Sequence, residues 1–412
     1  MRKALKKVMS IALTAAMSVS MLTVGAVTAQ ADDLKVGVIL VGDETEGYTK
    51  AHMDGISQAA EELGMDESQI VWKYKVAEDS ACYDSAVDLV GQGCNLVISN
   101  SYGHQTFMVM AAQEYPDTTF VSMTGDFAAI SGCSNFKNAF TKVYESRYVS
   151  GVVAGMKLAE LLESGTLTAD VQPDSFDADG NVKIGYVGAY TYAEVVSGYT
   201  SFFLGVRHMC PSAEMEVTFT GSWYDETAEK EGATKLINDG CVLLSQHADS
   251  MGAPTACENA GIPDVSYNGS TVDACPNTFI VSSRIDWAPY YVYAITAAMN
   301  GESIDADWTG TLATESVVLT DINENVAAEG TAEKIEEVKA ALESGELHVF
   351  DTSAFTVDGK TLDSYMADVD SDPDYTPDTE VISDGYFHES EYRSAQYFDL
   401  QIDGITLLDT AF

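Results

Sequence analysis

Positive charge is scarce in this sequence: 21 Lys and Arg stand against 64 Asp and Glu, a formal net charge of −43. A surface so acidic repels phosphate backbones and anionic headgroups, so nucleic acid and membrane surfaces are poor partners. It says little about a small neutral ligand. Catalytic signatures are missing as well. No Walker loop or G-x-G-x-x-G follows a strand-like segment, which leaves nucleotide-phosphate chemistry unsupported. No G-x-S-x-G elbow raises a nucleophile, although His247, Asp249 and Ser250 lie close in sequence. Asp225 and Asp249 can be drawn as a glycosidase pair, but chance pairs are expected in so acidic a chain. An enzyme is therefore not expected. The seven cysteines (Cys82, Cys94, Cys133, Cys210, Cys241, Cys257 and Cys275) form no CxxC and have no His at zinc-site spacing, so neither a metal nor another cofactor is expected. Several sit inside strand or helix patterns, where Cys packs as a small apolar residue. Their odd number leaves at least one thiol outside any disulfide within the chain.

What is present at the N-terminus sets the compartment. Arg2, Lys3, Lys6 and Lys7 precede an apolar stretch from about Met9 to Val27, interrupted by Ser10, Thr14, Ser18, Ser20 and Thr23. Ala29, Gln30 and Ala31 then supply a small-x-small cleavage site, so residues 1–31 read as an export signal and Asp32 as the mature start. No Cys follows the apolar stretch, so no lipobox is present. No later segment is long and apolar enough to span a bilayer. The mature chain is expected outside the cytoplasm, periplasmic or at the cell surface, without inserting into the membrane.

From Leu34 onward, apolar strand-like runs alternate with amphipathic helical ones. "LKVGVILVG", "IVWKYKVA", "CNLVISNS" and "TTFVSMTG" read as buried strands with helices between them. Strands without polar alternation belong in a parallel sheet covered on both faces. A second set, including "VKIGYVGAY", "AEMEVTFTG", "CVLLSQ", "DVSYN" and "TFIVSS", repeats the unit. The expected fold is α/β, two lobes each holding a doubly wound, mostly parallel sheet. Residues 32–127 plus 269–310 are assigned to the N-terminal lobe and 128–268 plus 311–350 to the C-terminal lobe. Residues 351–412 form an acidic extension whose role is not readable.

In open α/β sheets ligands bind outside the carboxyl ends of the strands. In the first lobe those ends carry Asp43, Gly47, Tyr48, Thr49 and His52, then Asn100, Ser101, Tyr102 and Gly103, then Thr124, Gly125 and Asp126. In the second they carry Tyr190, Tyr192 and Glu194, then Trp223, Tyr224 and Asp225, then Gln246, His247, Asp249 and Ser250, then Asn268, and last Arg284, Asp286 and Trp287. Aromatic walls with a few fixed donors and acceptors suit a planar heterocycle or a sugar ring.

These segments resemble the basic membrane protein (BMP) family of ABC-transporter substrate-binding proteins, which includes purine nucleoside receptors. "EGYTKAHMDG", "YESRYVSGVVAGM", "GSWYDETAEKEGA", "LSQHADS", "VSYN" and "DWAPYY" occur in the family's order between about Leu34 and Phe350. The resemblance implies a type I periplasmic-binding-protein fold with about three interlobe crossings. It also implies a purine base or nucleoside as ligand, and a membrane permease with its ATPase as partners. Tyr48 takes the position of the stacking aromatic, with a second wall from Tyr190 or from Trp223 and Tyr224. His52, Tyr102, Gln246, His247 and Asp249 would frame the polar rim, with Asn268 at the sugar or a base edge. Tyr48 stands where relatives carry Trp or Phe, Asn268 where they carry Asp, and Ala288 where Gly is common. A receptor reporting to a sensor rather than a permease, and a sugar or other heterocycle as cargo, remain open.

Overall fold

The computed structural model describes residues 34–369 and 376–409; the export signal expected at residues 1–31 lies outside the described residues. The first sheet contains β1 (Val36–Ile39), β2 (Ile70–Lys73), β3 (Leu96–Ser99), β4 (Thr119–Met123), β5 (Phe136–Thr141) and β11 (Asp307–Gly310), in the order β11-β5-β4-β3-β1-β2. All its pairings are parallel, with Val36 of β1 level with Ile70 on one side and Leu96 on the other. Val36, Val38, Leu96, Val97 and Ile98 are buried because helices cover both faces. On one face lie α1 (Gly47–Leu63) and α8 (Ala288–Asn300); on the other lie α2 (Ser80–Gly91) and α3 (Gln105–Glu114).

The second sheet is built from β6 (Val182–Gly188), β7 (Ala213–Phe219), β8 (Leu244–His247), β9 (Asp264–Tyr267), β10 (Phe279–Ile285), β12 (Val317–Leu319) and β17 (Ile405–Leu407). Its order is β12-β10-β9-β8-β6-β7-β17, and only β12 runs antiparallel to its neighbour. Helices α4 (Val143–Glu163), α5 (Ala193–Met209), α6 (Glu226–Asn238), α7 (Gly252–Ala260) and α9 (Thr331–Ser344) pack around it.

Two of the sequence boundaries shift. β5 belongs to the first sheet, so the chain leaves that lobe at Lys142 rather than after residue 127. β10 belongs to the second sheet, so the return falls at Asp286 rather than at residue 269. In each case one more strand pairs before the chain crosses, and crossing earlier would leave a row of buried backbone groups unpaired. The third crossing lies between Gly310 and Val317.

The described residues of the acidic extension form a strap over both lobes. Besides the short pairs β13 (Met366–Ala367) with β14 (Thr379–Glu380) and β15 (Ile382–Ser383) with β16 (Tyr386–Phe387), it contributes β17 to the edge of the second sheet. Phe355, Phe387 and Phe398 join Phe350 in the second lobe's core, with Phe350 and Phe398 stacked at 4.2 Å. The same segment reaches the first lobe. The Ser394 amide donates to Asp307 at 2.7 Å, Gln396 donates to the Thr141 carbonyl at 2.7 Å, and Arg393 lies 3.5 Å from Asp126. The ion pair joins two partly buried side chains at the long end of the range; the shorter hydrogen bonds on backbone groups carry the attachment.

Helices α4 and α5 touch backbone to backbone. A Cβ on Gly151 would stand 2.1 Å from the Phe202 carbonyl oxygen, and one on Gly205 would stand 2.1 Å from that of Tyr148. Gly205→Ala is expected to destabilise the protein by about 1–3 kcal/mol through overpacking, measured by urea unfolding; Gly91→Ala, which faces open space, should not destabilise it.

Several acids lie buried or half-buried and make no ion pair among the described residues. Asp264, Glu145 and Glu229 are each pushed up to about 7, and Glu389 to about 8, burial being the largest cause in each case. Glu389 accepts the amides of Tyr397 (3.2 Å) and Phe398 (3.0 Å), but these do not offset its desolvation. A carboxyl whose folded pKa is raised holds its proton longer in the folded state, so stability falls as pH rises from the unfolded value toward the folded one. The melting temperature is therefore expected to fall from about pH 5 to about pH 8, as scanning calorimetry at fixed ionic strength would show.

Candidate functional site

The carboxyl ends of the two sheets face each other across a slot. It is lined by Val41, Glu46, Tyr48, Asn100, Ser101, Tyr102 and Thr124 from the first lobe and by Glu194, Trp223, His247, Asp249 and Tyr267 from the second. The cavity between the walls measures about 30 Å³. The lobes thus stand nearly closed on a thin space.

On the first-lobe side, α1 begins at Gly47 and presents Tyr48 in its first turn. The Tyr48 hydroxyl donates to the Asn100 carbonyl at 2.5 Å, and the ring meets His52 edge-on at 4.6 Å. Asn100 holds the neighbouring loops together: its Oδ1 accepts the Val41 amide at 2.8 Å and its Nδ2 donates to Thr49 Oγ1 at 3.3 Å. Thr49 in turn donates to Glu46 at 2.5 Å. Glu46, Tyr48 and the end of β3 are therefore fixed by one network.

On the second-lobe side, Trp223 is braced edge-on by Tyr190 at 5.2 Å, and Tyr190 stacks on Tyr192 at 5.0 Å. His247 sits 4.8 Å from Tyr267 and its Nε2 lies 3.3 Å from Glu194. Burial lowers His247, helped by the nearby Arg147 charge, and pushes Glu194 up to about 7. Both shifts favour neutral partners, so the contact is a hydrogen bond rather than an ion pair. Arg147 lies behind this wall, its guanidinium 3.7 Å over the Tyr267 ring, donating to Tyr186 at 2.9 Å and to the Gln246 carbonyl at 2.6 Å. It neutralises none of the carboxyls at the slot by contact. Thr124 and Asn268, the first residues beyond β4 and β9, both have φ of 61°. Strain of this kind in non-glycine residues persists only where surrounding contacts enforce it.

Of the residues picked out in the sequence, Tyr48, Asn100, Ser101, Tyr102, Thr124, Glu194, Trp223, His247 and Asp249 come together on the slot. The others lie off its wall. Thr49 and His52 are buried behind Tyr48, and His52 is stacked on Trp287 at 4.4 Å with its Nδ1 2.5 Å from the Tyr291 hydroxyl. Trp287 is a fully buried core residue below Phe140. Asp43 is held at 2.6 Å by Lys75, which with Thr45 draws its carboxyl down to about 2. The Gly103 amide donates to Glu78. Asp126 faces the extension's Arg393, and Tyr224 is exposed. Asp225 caps α6 by accepting the Thr227 and Ala228 amides. Gln246 donates to the carbonyls of Ala248 and Ser250. Tyr190 braces Trp223, and Asn268 donates to Asp249 at 3.2 Å. Glu46, Val41 and Tyr267 were missed. Glu46 is masked by its acidic neighbours, and Tyr267 ends a strand whose preceding residues read as core.

Residues 34–349 match the profile of the ABC transporter substrate-binding protein PnrA-like family, Bmp. The chain is 28% identical over 321 residues to a purine-binding protein of Brucella abortus, covering 77% of this chain and 83% of that one. It is 27% identical over 314 residues to a putative ABC transporter glucose-binding protein of Haloferax volcanii, covering 75% and 72%. A solute-binding protein structure from Conexibacter woesei superposes with a TM-score of 0.57 at 21% identity, over 76% of this chain and 98% of that one. Among the described residues no helix is long and apolar enough to cross a membrane. The profile match over most of the chain, on a fold of two facing parallel sheets, places this protein in the Bmp family of ABC-transporter substrate-binding proteins, which act outside the cytoplasm and are not enzymes.

Proposed function

We propose that this protein binds a purine nucleoside or purine base in the interlobe slot and delivers it to a membrane permease. One observation carries the reading: Tyr48 from one lobe and Trp223 from the other line the same thin space, with polar groups around them. An aromatic on each lobe offers a flat heterocycle two faces to contact, and each stacked ring contributes roughly 1–3 kcal/mol. The similarity to a purine-binding protein supports the same ligand class. A sugar is the second reading, favoured by the similarity to a glucose-binding protein at nearly the same identity.

Delivery follows from closure. Three chain crossings join the lobes, and a solute held by both stabilises the closed form only because it contacts both. The permease then reads the closed surface. The export signal of residues 1–31 and the ABC permease with its ATPase belong to this reading.

Tyr48→Ala and Trp223→Ala are each expected to weaken nucleoside binding by about 1–3 kcal/mol in titration calorimetry. Tyr48→Phe, which keeps the ring and loses the bond to Asn100, should cost about 1 kcal/mol. A thermal-shift screen of purines, pyrimidines, nucleosides and sugars tests the class: a response to sugars with silence toward every purine removes the purine reading.

A further inference from the structure

The slot lacks cations. Among the described residues no Lys or Arg lines it, whereas Glu46, Glu194 and Asp249 do. Glu194 faces His247, but Glu46 and Asp249 come from opposite lobes and lie near enough for the charge of Glu46 to act on Asp249. Each has one carboxyl oxygen engaged by the protein: Glu46 Oε2 accepts from Thr49 at 2.5 Å, and Asp249 Oδ1 accepts from Asn268 at 3.2 Å. Their remaining oxygens, Glu46 Oε1 and Asp249 Oδ2, receive no protein donor among the described residues. The engaged oxygens fix both groups. Thr49 is buried and tied to Asn100, and Asn268 is locked in the left-handed region with its amide on the Ser283 carbonyl at 2.9 Å. Two acceptors are thus held rigidly across the lobe boundary.

We propose that Glu46 and Asp249 form a carboxyl clamp that selects a ligand carrying two adjacent N–H or O–H donors, one for each lobe. This rests on the slot being the ligand site and, for the ligand class, on the purine nucleoside reading. Two parts of such a ligand carry adjacent donors: the ring N–H and amino group of a guanine-type base, and the vicinal diol of ribose. Hydrogen bonds from these donors to carboxylates are the strong, charge-assisted kind. They also give partners to carboxyl oxygens that no protein donor reaches among the described residues, so the ligand favours closure by contacting both lobes. Phosphorylated ligands are rejected by the same carboxyls.

The test is calorimetry on the full chain with three probes: guanosine, inosine (diol, no amino group) and 2′,3′-dideoxyguanosine (amino edge, no diol). Glu46→Gln and Asp249→Asn keep the size and one acceptor and remove the charge. Each is expected to weaken guanosine by roughly tenfold to a hundredfold, the worth of a hydrogen bond to a charged group. If the base edge sits in the clamp, dideoxyguanosine suffers the same loss and inosine already binds weakly to the unaltered protein. If the diol sits there, inosine suffers it and dideoxyguanosine is the weak one. A loss confined to guanosine affinity, with melting temperatures unchanged, separates recognition from misfolding. Variants that bind all three probes within about twofold of the unaltered protein overturn the clamp, since a lost charge-assisted bond costs more. Should the unaltered protein bind glucose and no nucleoside, the purine reading falls alone. The clamp then stands or falls on whether glucose shows the same loss, and a protein binding neither class overturns both.

Discussion

A parallel sheet delivers the carboxyl end of every strand to one rim, and all that can be varied without disturbing its ladder is gathered there. Two such rims face each other in this protein because the chain crosses between sheets three times, always from the end of a strand. Each residue on the slot belongs to a loop or helix start just beyond β1, β3, β4, β6, β7 or β8, or to the end of β8 or β9. The helices that bury the sheets thereby fix the loops, and the site is as rigid as the packing behind it. His52, Trp287 and Phe140 form such a column beneath Tyr48, and Arg147 with Tyr186 forms one beneath Tyr267.

Charge is the second constraint. Placing carboxyls in a closing cleft is costly, because desolvation and mutual repulsion both oppose it. Glu46 and Asp249 are each raised, first by burial and then by acidic neighbours, and Glu194 behaves alike. Arg147 is near enough to influence Glu194 and His247, yet its Nη1 donates to Tyr186 and the Gln246 carbonyl and it makes no ion pair with a slot carboxyl among the described residues. A charge held one layer behind the wall softens the field without supplying a partner that would compete with the ligand.

The alternation of apolar runs revealed two facing α/β lobes because burial on both faces of a parallel sheet leaves an unbroken apolar strand. Periodicity could not show where the chain changes sheet: β5 and β10 look like any other strand, and their membership depends on which edge is free to pair. Strand-end logic placed Tyr48, Trp223, His247 and Asp249 on the slot, since each lies at a strand's end or in the loop or helix start that follows it. It overreached at Asp225, Gln246 and Trp287, where a polar or aromatic group at a strand end serves as helix cap, loop tie or core instead. Glu46 was hidden for a different reason. In a chain with 64 acids, one that turns inward leaves no mark on composition. The extension was unreadable because its aromatic residues cluster from separated points of the segment, with Phe355 and Phe387 both on Phe398, which leaves no helical or strand period.

The strand at Ile405–Leu407 closes the outer edge of the second sheet by pairing with Met215–Val217, and Asp409 ties off the row by accepting from Thr218 and the Phe219 amide. These partners are separated by nearly the whole second half of the polypeptide. A chain emerging N-terminus first from a ribosome or a translocation pore therefore exposes β7 as an open edge until residues 405–407 are released. Contacts of such long sequence separation form slowly, and an unpaired edge invites pairing with another molecule. The nascent protein thus carries an open edge from the emergence of β7 until its partner strand follows, and a holding chaperone would act in that interval.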